Sequence, residues 1–507
     1  MGKTTSLMVL VKSLTKAEKR HFRLYSSLQS GEKIYLYLFD LIEHNTSRDA
    51  LHAQFCMKYD KKSFDIAVKH LYQTVLDSLV LLRGKNDMQT KIFNLISEAN
   101  ILFERKLSDE AIIHLNKAKK LTTIYEIDTL ALLIRRTELK YMNAMDFNHI
   151  SERQLVAKQM KVVETMNYNK SANLHSQLYD ILKHRLIYKG YVRSDKQKQE
   201  LNDLVLSELN LTSNNSYKGF EAQKLHLLFQ ATYYLNSGYY KTAIRLYQKL
   251  ISLFEENKHM IMNPPIYYLQ SILGILNSLM ALSLYAEMPF FVNKLKEIEQ
   301  GDFSSDFILG VRTHVFLYEF SCAFNTGDFT SAANLISGNE ESLYKKISLL
   351  GLEMQLNILL CTTILDLATG NTTSARKNMR KIIGSGKLFY TLPAYRHARL
   401  LNLILQSELN NYDFFDNEIK AIKRSIRFEK QISITEKMLF RFIQNYHMID
   451  QEKVRNKLLR QLKNETVKIH RNKYELQLLA IFDFLSWMES KLTLYPFQKL
   501  LAEKNMR

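Results

Sequence analysis

One stretch, Leu225–Glu255 (LHLLFQATYYLNSGYYKTAIRLYQKLISLFE), limits the choice of fold more than any other part of the chain. Leu227, Ala231 and Tyr234 recur at helical spacing, Asn236-Ser237-Gly238 interrupts the pattern, and Ala243, Tyr247 and Leu250 resume it. Two amphipathic helices joined by a tight turn follow from this. Ala231 and Ala243 stand where two helix backbones must approach closely, and Tyr234, Tyr240 and Tyr247 supply bulk for the remaining space.

The arrangement returns along the chain. Leu95, Ala99 and Leu102, then Ala111, Leu115 and Ala118, form a first hairpin from about Gln89. Others start near Asp128, Ser171, Lys218, Asn263, Ser305, Ser348, Tyr390 and Ile432, with a period of about forty to forty-five residues. Landmarks recur as Gly327-Asp328-Phe329 with Ala332, Gly370-Asn371-Thr372 with Ala375, and Asn411-Tyr412-Asp413 with Phe415 and Ile419. Asp128–Met166 lacks the turn glycine, and the helix expected over Ser171–Lys189 would be roughly 28 Å long. With 15 Gly and 5 Pro in 507 residues, turn formers are too few for a β-rich fold. The expected fold is all-α, an α-solenoid of about nine antiparallel helical hairpins.

Gly238-Tyr239-Tyr240-Lys241-Thr242-Ala243-Ile244, preceded by Ala231 and Tyr234, resembles the tetratricopeptide (TPR) repeat. In that repeat Gly-x-Tyr marks the turn and Ala-x-x-x-Tyr the second helix. The resemblance implies a TPR-like superhelix that binds proteins or peptides. The period here is longer than the TPR value of about thirty-four, and three or four copies carry the motif. Leu228 and Thr232 stand where the chaperone-binding subclass places Lys and Asn, so capture of a terminal carboxylate is not implied.

Residues 1–88 fall outside the repeat and read as a helical N-terminal cap or a helix-turn-helix-like domain. Thr15 with Glu18 forms a capping box opening a helix to Leu28; helices then follow over Ile34–Glu43, Arg48–Met57 and Lys62–Leu82. Phe64, Val68, Leu71, Tyr72, Val75, Leu76 and Leu79 give the last of these a buried face, and only Lys61, Lys62 and Lys69 could meet DNA near its start. The repeat array occupies 89–469. Residues 470–507, with Trp487 and a break at Tyr495-Pro496, read as C-terminal capping helices.

Motifs of catalysis do not assemble. Gly2-Lys3-Thr4 lacks the upstream glycine-containing loop of a phosphate site; Gly384-Ser385-Gly386-Lys387 has Lys381 in place of the first Gly and Leu388 in place of the magnesium-binding hydroxyl. The 14 histidines, His44, His52, His175 and His184 among them, show no metal-site spacing. Asp302 with Asp306, and Asp413 with Asp416, lie where helices start and read as caps. No cofactor or metal is expected, and no enzyme. Cys56, Cys322 and Cys361 are odd in number and far apart, which suits a reducing compartment. The N-terminal apolar run is shorter than the roughly seven to fifteen residues of a signal peptide. No window is expected to span a membrane, since even Leu349–Leu367 carries Glu353, Gln355, Asn357 and Asp366. A cytoplasmic protein is the expectation.

Charge is more informative. The formal net charge is +19, and residues 415–507 hold 19 Lys and Arg against 11 Asp and Glu. Basic residues fall into helical register as Arg376, Lys377, Arg380 and Lys381, then Lys420, Lys423, Arg424 and Arg427, then Lys453, Lys457, Arg460 and Lys463. Each set lies on the second helix of one of three successive hairpins. They read either as solvated outer faces or as a candidate basic surface for an acidic protein or nucleic acid. The chain is thus expected to be a non-catalytic scaffold that binds a protein or peptide ligand. The alternative is a transcriptional regulator with N-terminal DNA-binding helices and a TPR-like sensor array.

Overall fold

The computed structural model describes residues 2–28, 33–44, 47–83, 87–148, 150–189, 192–213, 219–261, 264–385, 389–390, 392–411, 413–426 and 432–505. Helix makes up 83% of the structure, and no strand occurs among the described residues, so the chain is all-helical. It divides into two compact units, Met1–Lys170 with Asp302–Phe307, and Ser171–Gly301 with Ile308–Arg507.

The first unit opens with α1 (Lys3–Ser13), α2 (Lys16–Ser27), α3 (Ile34–His44), α4 (Arg48–Cys56) and α5 (Lys61–Arg83). α2 begins with the expected capping box: Glu18 N donates to Thr15 Oγ1 at 3.2 Å, and Thr15 N donates to the Glu18 carboxylate at 2.8 Å. α1 was not anticipated. Its Leu7 and Val11 are fully buried with Phe22, Leu38, Phe39, Leu51 and Phe55, packed around Phe64, Val68, Leu71 and Val75 of α5. Tyr72, expected inside, is 36% exposed because it lies one residue off that stripe.

A second core in this unit joins α6 (Met88–Glu104), α7 (Ser108–Ile124) and α8 (Asp128–Ala144). Ala99, Ala111 and Ala118 have no accessible surface there. Their small side chains let the α6 and α7 backbones close on each other. Tyr141 stacks on Phe103 with centroids 3.9 Å apart, and its hydroxyl donates to Asn100 Oδ1 at 2.7 Å.

α9 is one helix from Glu152 to Lys189, 38 residues long. It corrects the expectation that a hairpin starts at Ser171. Met166–Lys170 contains no Gly or Pro, and Asn169 Nδ2 donates back to Thr165 O at 3.0 Å instead of capping a new helix, so the backbone ladder continues.

The second unit continues with α10 (Asp195–Gln199) and α11 (Asn202–Ser213). Helix pairs follow: α12 (Phe220–Asn236) with α13 (Tyr240–Glu256), α14 (Ile266–Ala281) with α15 (Met288–Glu299), and α16 (Ser305–Asn325) with α17 (Phe329–Gly338). Next come α18 (Leu352–Ala368) with α19 (Thr372–Gly384), α20 (Pro393–Glu408) with α21 (Asp413–Ile426), and α22 (Ile434–Gln444) with α23 (Glu452–Arg471). Second helices pack on the first helix of the next pair, α13 on α14, α17 on α18, α19 on α20 and α21 on α22. First helices also touch directly, α12 with α14, α18 with α20 and α20 with α22.

One turn geometry closes five of these six pairs, and the α6–α7 turn, whether or not glycine is present; α22 ends instead with Asn445 at φ −103°. Gly238, Gly327 and Gly370 have φ of 78°, 82° and 78°; Lys106, Ser283 and Asn410 occupy the same left-handed region at 63°, 57° and 54°. In each case the next residue's N–H reaches back five positions, as from Tyr239 to Tyr234 O at 2.9 Å and from Leu284 to Leu279 O at 2.9 Å. This is the Schellman closure of a helix, which satisfies carbonyls the helix end would leave unpaired. A missing turn glycine therefore does not mean a missing turn.

The chain ends with α24 (Leu476–Leu479), α25 (Phe484–Thr493) and α26 (Phe497–Asn505). α25 packs on α22, α23 and α26, with Trp487 against Phe442 and Tyr446. The segment also reaches earlier pairs: Gln498 Nε2 donates to Gly327 O at 2.7 Å, and Asn505 Nδ2 to Asn325 O at 2.6 Å. One helix among the described residues is long and apolar enough to cross a membrane, by length and composition only. Ser305–Asn325 has a mean hydropathy of 1.2 in its most apolar window, 44% of which is buried, and its Phe316, Phe320 and Phe324 belong to the hydrophobic core.

The turns give an ordered prediction. Ser283→Gly and Lys106→Gly each relieve a left-handed non-glycine residue and should stabilise the fold by about 1 kcal/mol. Gly370→Ala should cost a similar amount, because nothing lies near its Cβ position; Gly327→Ala should cost more, because its Cβ would lie 2.6 Å from Gln498 O. Urea midpoints of the four variants check that order.

Candidate functional site

The basic residues come first. α19 buries Ala375, Met379 and Ile382; α21 buries Phe415, Ile419 and Ile422; α23 buries Leu458, Leu462 and Ile469. On the other sides of these helices Arg376, Lys377, Arg380, Lys381, Lys420, Lys423, Arg424, Lys453, Lys457, Arg460 and Lys463 are all exposed. Arg427 lies outside the described residues, as do Tyr412 and Gly386-Lys387-Leu388. Each set shares one helix, and the helices connect through the intervening first helices α20 and α22. Among the described residues none of these eleven cations enters an ion pair. Elsewhere in the same unit, cations with carboxylate partners include Arg185 (Asp203), Lys294 (Glu255), Lys296 (Glu319), Arg312 (Glu299), Arg399 (Glu418), Lys491 (Glu408) and Lys504 (Asp483).

The second feature is a cleft of about 940 Å³ within the second unit. Its walls include first helices, with Thr232 and Asn236 of α12, Gln270, Leu273, Gly274 and Asn277 of α14, Arg396 of α20, and Glu436 and Lys437 of α22, together with Tyr240 and Tyr247 of α13 and the 472–481 segment after α23. Gly274 is there because of its neighbour. A Cβ on it would sit 2.3 Å from the ring of Tyr247, whose burial pushes its hydroxyl up to about 12. Tyr318 OH donates to Asn277 Oδ1 at 2.9 Å and fixes one wall.

The charged groups of the cleft are mostly satisfied by the chain itself. Arg396 grips the Glu436 carboxylate through Nε and Nη2, each at 2.5 Å, while Ser433 N donates to the same carboxylate at 2.9 Å. Glu475 sits on the N-terminus of α22, accepting from Ile434 N at 2.7 Å, Thr435 N at 3.1 Å and Thr435 Oγ1 at 2.7 Å. Tyr240 OH donates to Lys473 O at 3.3 Å, and Gln477 Nε2 to Asn236 O at 3.3 Å. The Lys473 ammonium lies 3.8 Å from the Tyr239 ring centroid. Lys473 and Lys198 together hold the Tyr239 phenol below its usual range. The residues after α23 therefore do more than cover the end of the last pair. They tie it to the α12–α13 turn.

Sequence reasoning missed Arg396, Glu436 and Glu475. A signal was present, because they are spaced 40 and 39 residues apart, close to the repeat period. Of the adjacent rings Tyr239 and Tyr240, Tyr240 is buried and Tyr239 is 37% exposed, and Lys473 already occupies the exposed ring. The first turns of α5 expose Lys61, Lys62, Asp65, Ile66 and Lys69, a mixed surface that presents no Arg, Asn or Gln beside its lysines. Gly2 precedes α1 and Gly384 ends α19. Among the described residues no three His, Cys, Asp or Glu side chains group to hold a metal ion. Burial pushes the thiols of Cys322 and Cys361 up, away from the thiolate range that nucleophilic catalysis uses.

No protein-family model, no curated protein and no solved structure matches this chain.

Two outcomes follow from the cleft walls. Arg396→Ala leaves the Glu436 carboxylate, 1% exposed, without its partner and should cost about 3–5 kcal/mol; the double variant Arg396→Met/Glu436→Met should cost much less, as denaturant titrations would show. His314, packed near Tyr318, is held by burial at about 4, below the unfolded value near 6.5. Its neutral form favours the folded state, so that stability is complete above about pH 6.5 and is lost as pH falls towards 4. Between pH 6.5 and 5 the loss should be about 2 kcal/mol, and His314→Gln should show a smaller loss in the same titration.

Proposed function

We propose that the chain is a non-catalytic binding scaffold, a TPR-like α-solenoid of about nine hairpins in which α9 serves two successive units, and that its cleft receives an extended peptide segment of a partner protein. The observation that carries this reading is the cleft itself. First helices of several pairs line it together with α13 and the 472–481 segment, and it carries exposed Lys183 and Lys437 with exposed Asn277 between apolar Leu273 and Met280. A cleft of about 940 Å³ with apolar side chains and a few exposed polar groups has room for a peptide segment. Three cysteines without a pairing among the described residues suit a reducing compartment such as the cytoplasm.

Peptides selected by display on the immobilised full-length chain test the proposal. Asn277→Trp fills the cleft from an exposed position, and Lys437→Glu reverses a rim charge. Each should weaken the selected peptides by about tenfold or more by calorimetry, corresponding to about 1.4 kcal/mol. Failure to select any peptide, or affinities unchanged in both variants, would count against a peptide-binding cleft.

A further inference from the structure

We propose that the basic faces of α19, α21 and α23 form a docking surface for the phosphate backbone of duplex nucleic acid, bound without reading its sequence. The surface is distinct from the cleft. Its cations are uncompensated where much of the unit's charge is paired. α19 contains no acidic residue. In α21 the acids are confined to the first half, where Glu418 turns to Arg399 at 2.7 Å and Asp416 accepts from Gln444 at 3.1 Å. In α23 Glu452 lies in the first turn and Glu465 pairs with Lys468 at 3.0 Å.

Helix dipoles favour cations in a last turn, which accounts for Lys381, Lys423 and Arg424. They do not account for Arg376, Lys377, Lys420, Lys453 or Lys457, which lie earlier in their helices. Keeping eleven exposed like charges on three linked helices raises the local potential, and an anionic partner lowers it.

The composition of the surface separates nucleic acid from an acidic protein. Protein interfaces concentrate aromatic and other apolar anchors at their centre and are depleted in Lys. On α19, α21 and α23 the one large apolar side chain exposed among the described residues is Val467, one turn past Lys463 at the end of the α23 row. The absence of exposed aromatic rings there also disfavours single strands, whose bases stack on such rings. Lys453 to Lys463 spans about 15 Å of helix, a length over which one strand of a duplex presents about four phosphates.

The test uses the full-length chain and a labelled, mixed-sequence DNA duplex of about 30 base pairs, followed by fluorescence anisotropy over a salt series. The expected result is binding whose logarithm falls with log salt at a slope of about −4 to −5, reflecting some four to six phosphate contacts. Lys420→Glu/Lys423→Glu/Arg424→Glu should weaken it by about tenfold or more at fixed salt with the melting temperature unchanged. A control, Lys91→Glu/Lys117→Glu/Lys120→Glu, changes the formal charge equally at exposed sites on α6 and α7 and should change affinity by less than about threefold. Should the first variant melt early, Arg376→Gln/Arg380→Gln/Lys381→Gln replaces it with the same expectation. Absence of duplex binding at low salt overturns the proposal, as do equal losses in the stripe and control variants. Tight binding of polyglutamate that the duplex fails to compete would overturn it in favour of an acidic protein partner.

Discussion

The packing of the second unit depends on how closely one helix can approach the next, and the contact between Tyr247 and Gly274 shows the limit. Tyr247 is among the largest fully buried side chains, and the space its ring fills is the space a β-carbon at residue 274 would need. Any larger residue there forces either the ring or the α14 backbone to move, and close-packed interiors resist both. The buried alanines obey the same rule on a smaller scale. Ala231, Ala243, Ala332 and Ala375 have no accessible surface, and each marks a place where two helices meet. Bulk on one side of each contact and its absence on the other set the helix spacing, and the left-handed turn residues then fix how quickly the chain reverses.

That constraint alone would leave the last helix pair exposing a stacking face. The chain meets the problem by folding back. Asp483, itself buried, accepts from Leu485 N and Ser486 N and from the Lys504 ammonium at 2.5 Å, joining α25 to α26. Lys504 holds the Asp483 carboxyl below its usual range despite burial, so the charge is retained inside. Glu475 plays a matching part at α22, where a carboxylate on a helix N-terminus offsets its unpaired donors and its positive end. The polar return contacts to Asn236, Gly327 and Asn325 all land on turns or helix ends. Those are the places where backbone carbonyls lack partners within their own helix, so a returning segment can satisfy them without displacing anything.

Legibility in the sequence followed the range of the interaction. Thr15 and Glu18 announce α2 because both halves of a capping box lie within four residues. The hairpin at Gly238 is legible for the same reason. The continuous α9 was not, since the apolar period alone cannot distinguish a new helix from an old one when no breaker intervenes. α1 was overlooked because its burying partners, such as Phe39 and Leu71, lie far along the chain. The cleft was illegible for a related reason: Arg396, Glu436 and Glu475 are each ordinary on their own helix, and only their common period ties them together.

Arg396, Glu436 and Glu475 also bear on where binding energy can come from. A partner entering the cleft gains little from these groups, because the chain already satisfies them, and breaking the Arg396–Glu436 pair would expose two charges that are costly to leave alone. Affinity there must come from the apolar pockets and from exposed Lys183, Asn277 and Lys437. The outer faces of α19, α21 and α23 present the opposite case. Their cations have no carboxylate to give up among the described residues, so a phosphate would displace mainly water and mobile ions, besides the Lys423–Phe440 and Arg424–Lys420 O contacts. Releasing those ions is entropically favourable, which is the term that drives association with nucleic acid. The two surfaces should therefore differ in their response to salt: strong on the helix faces and weak in the cleft, where apolar burial dominates.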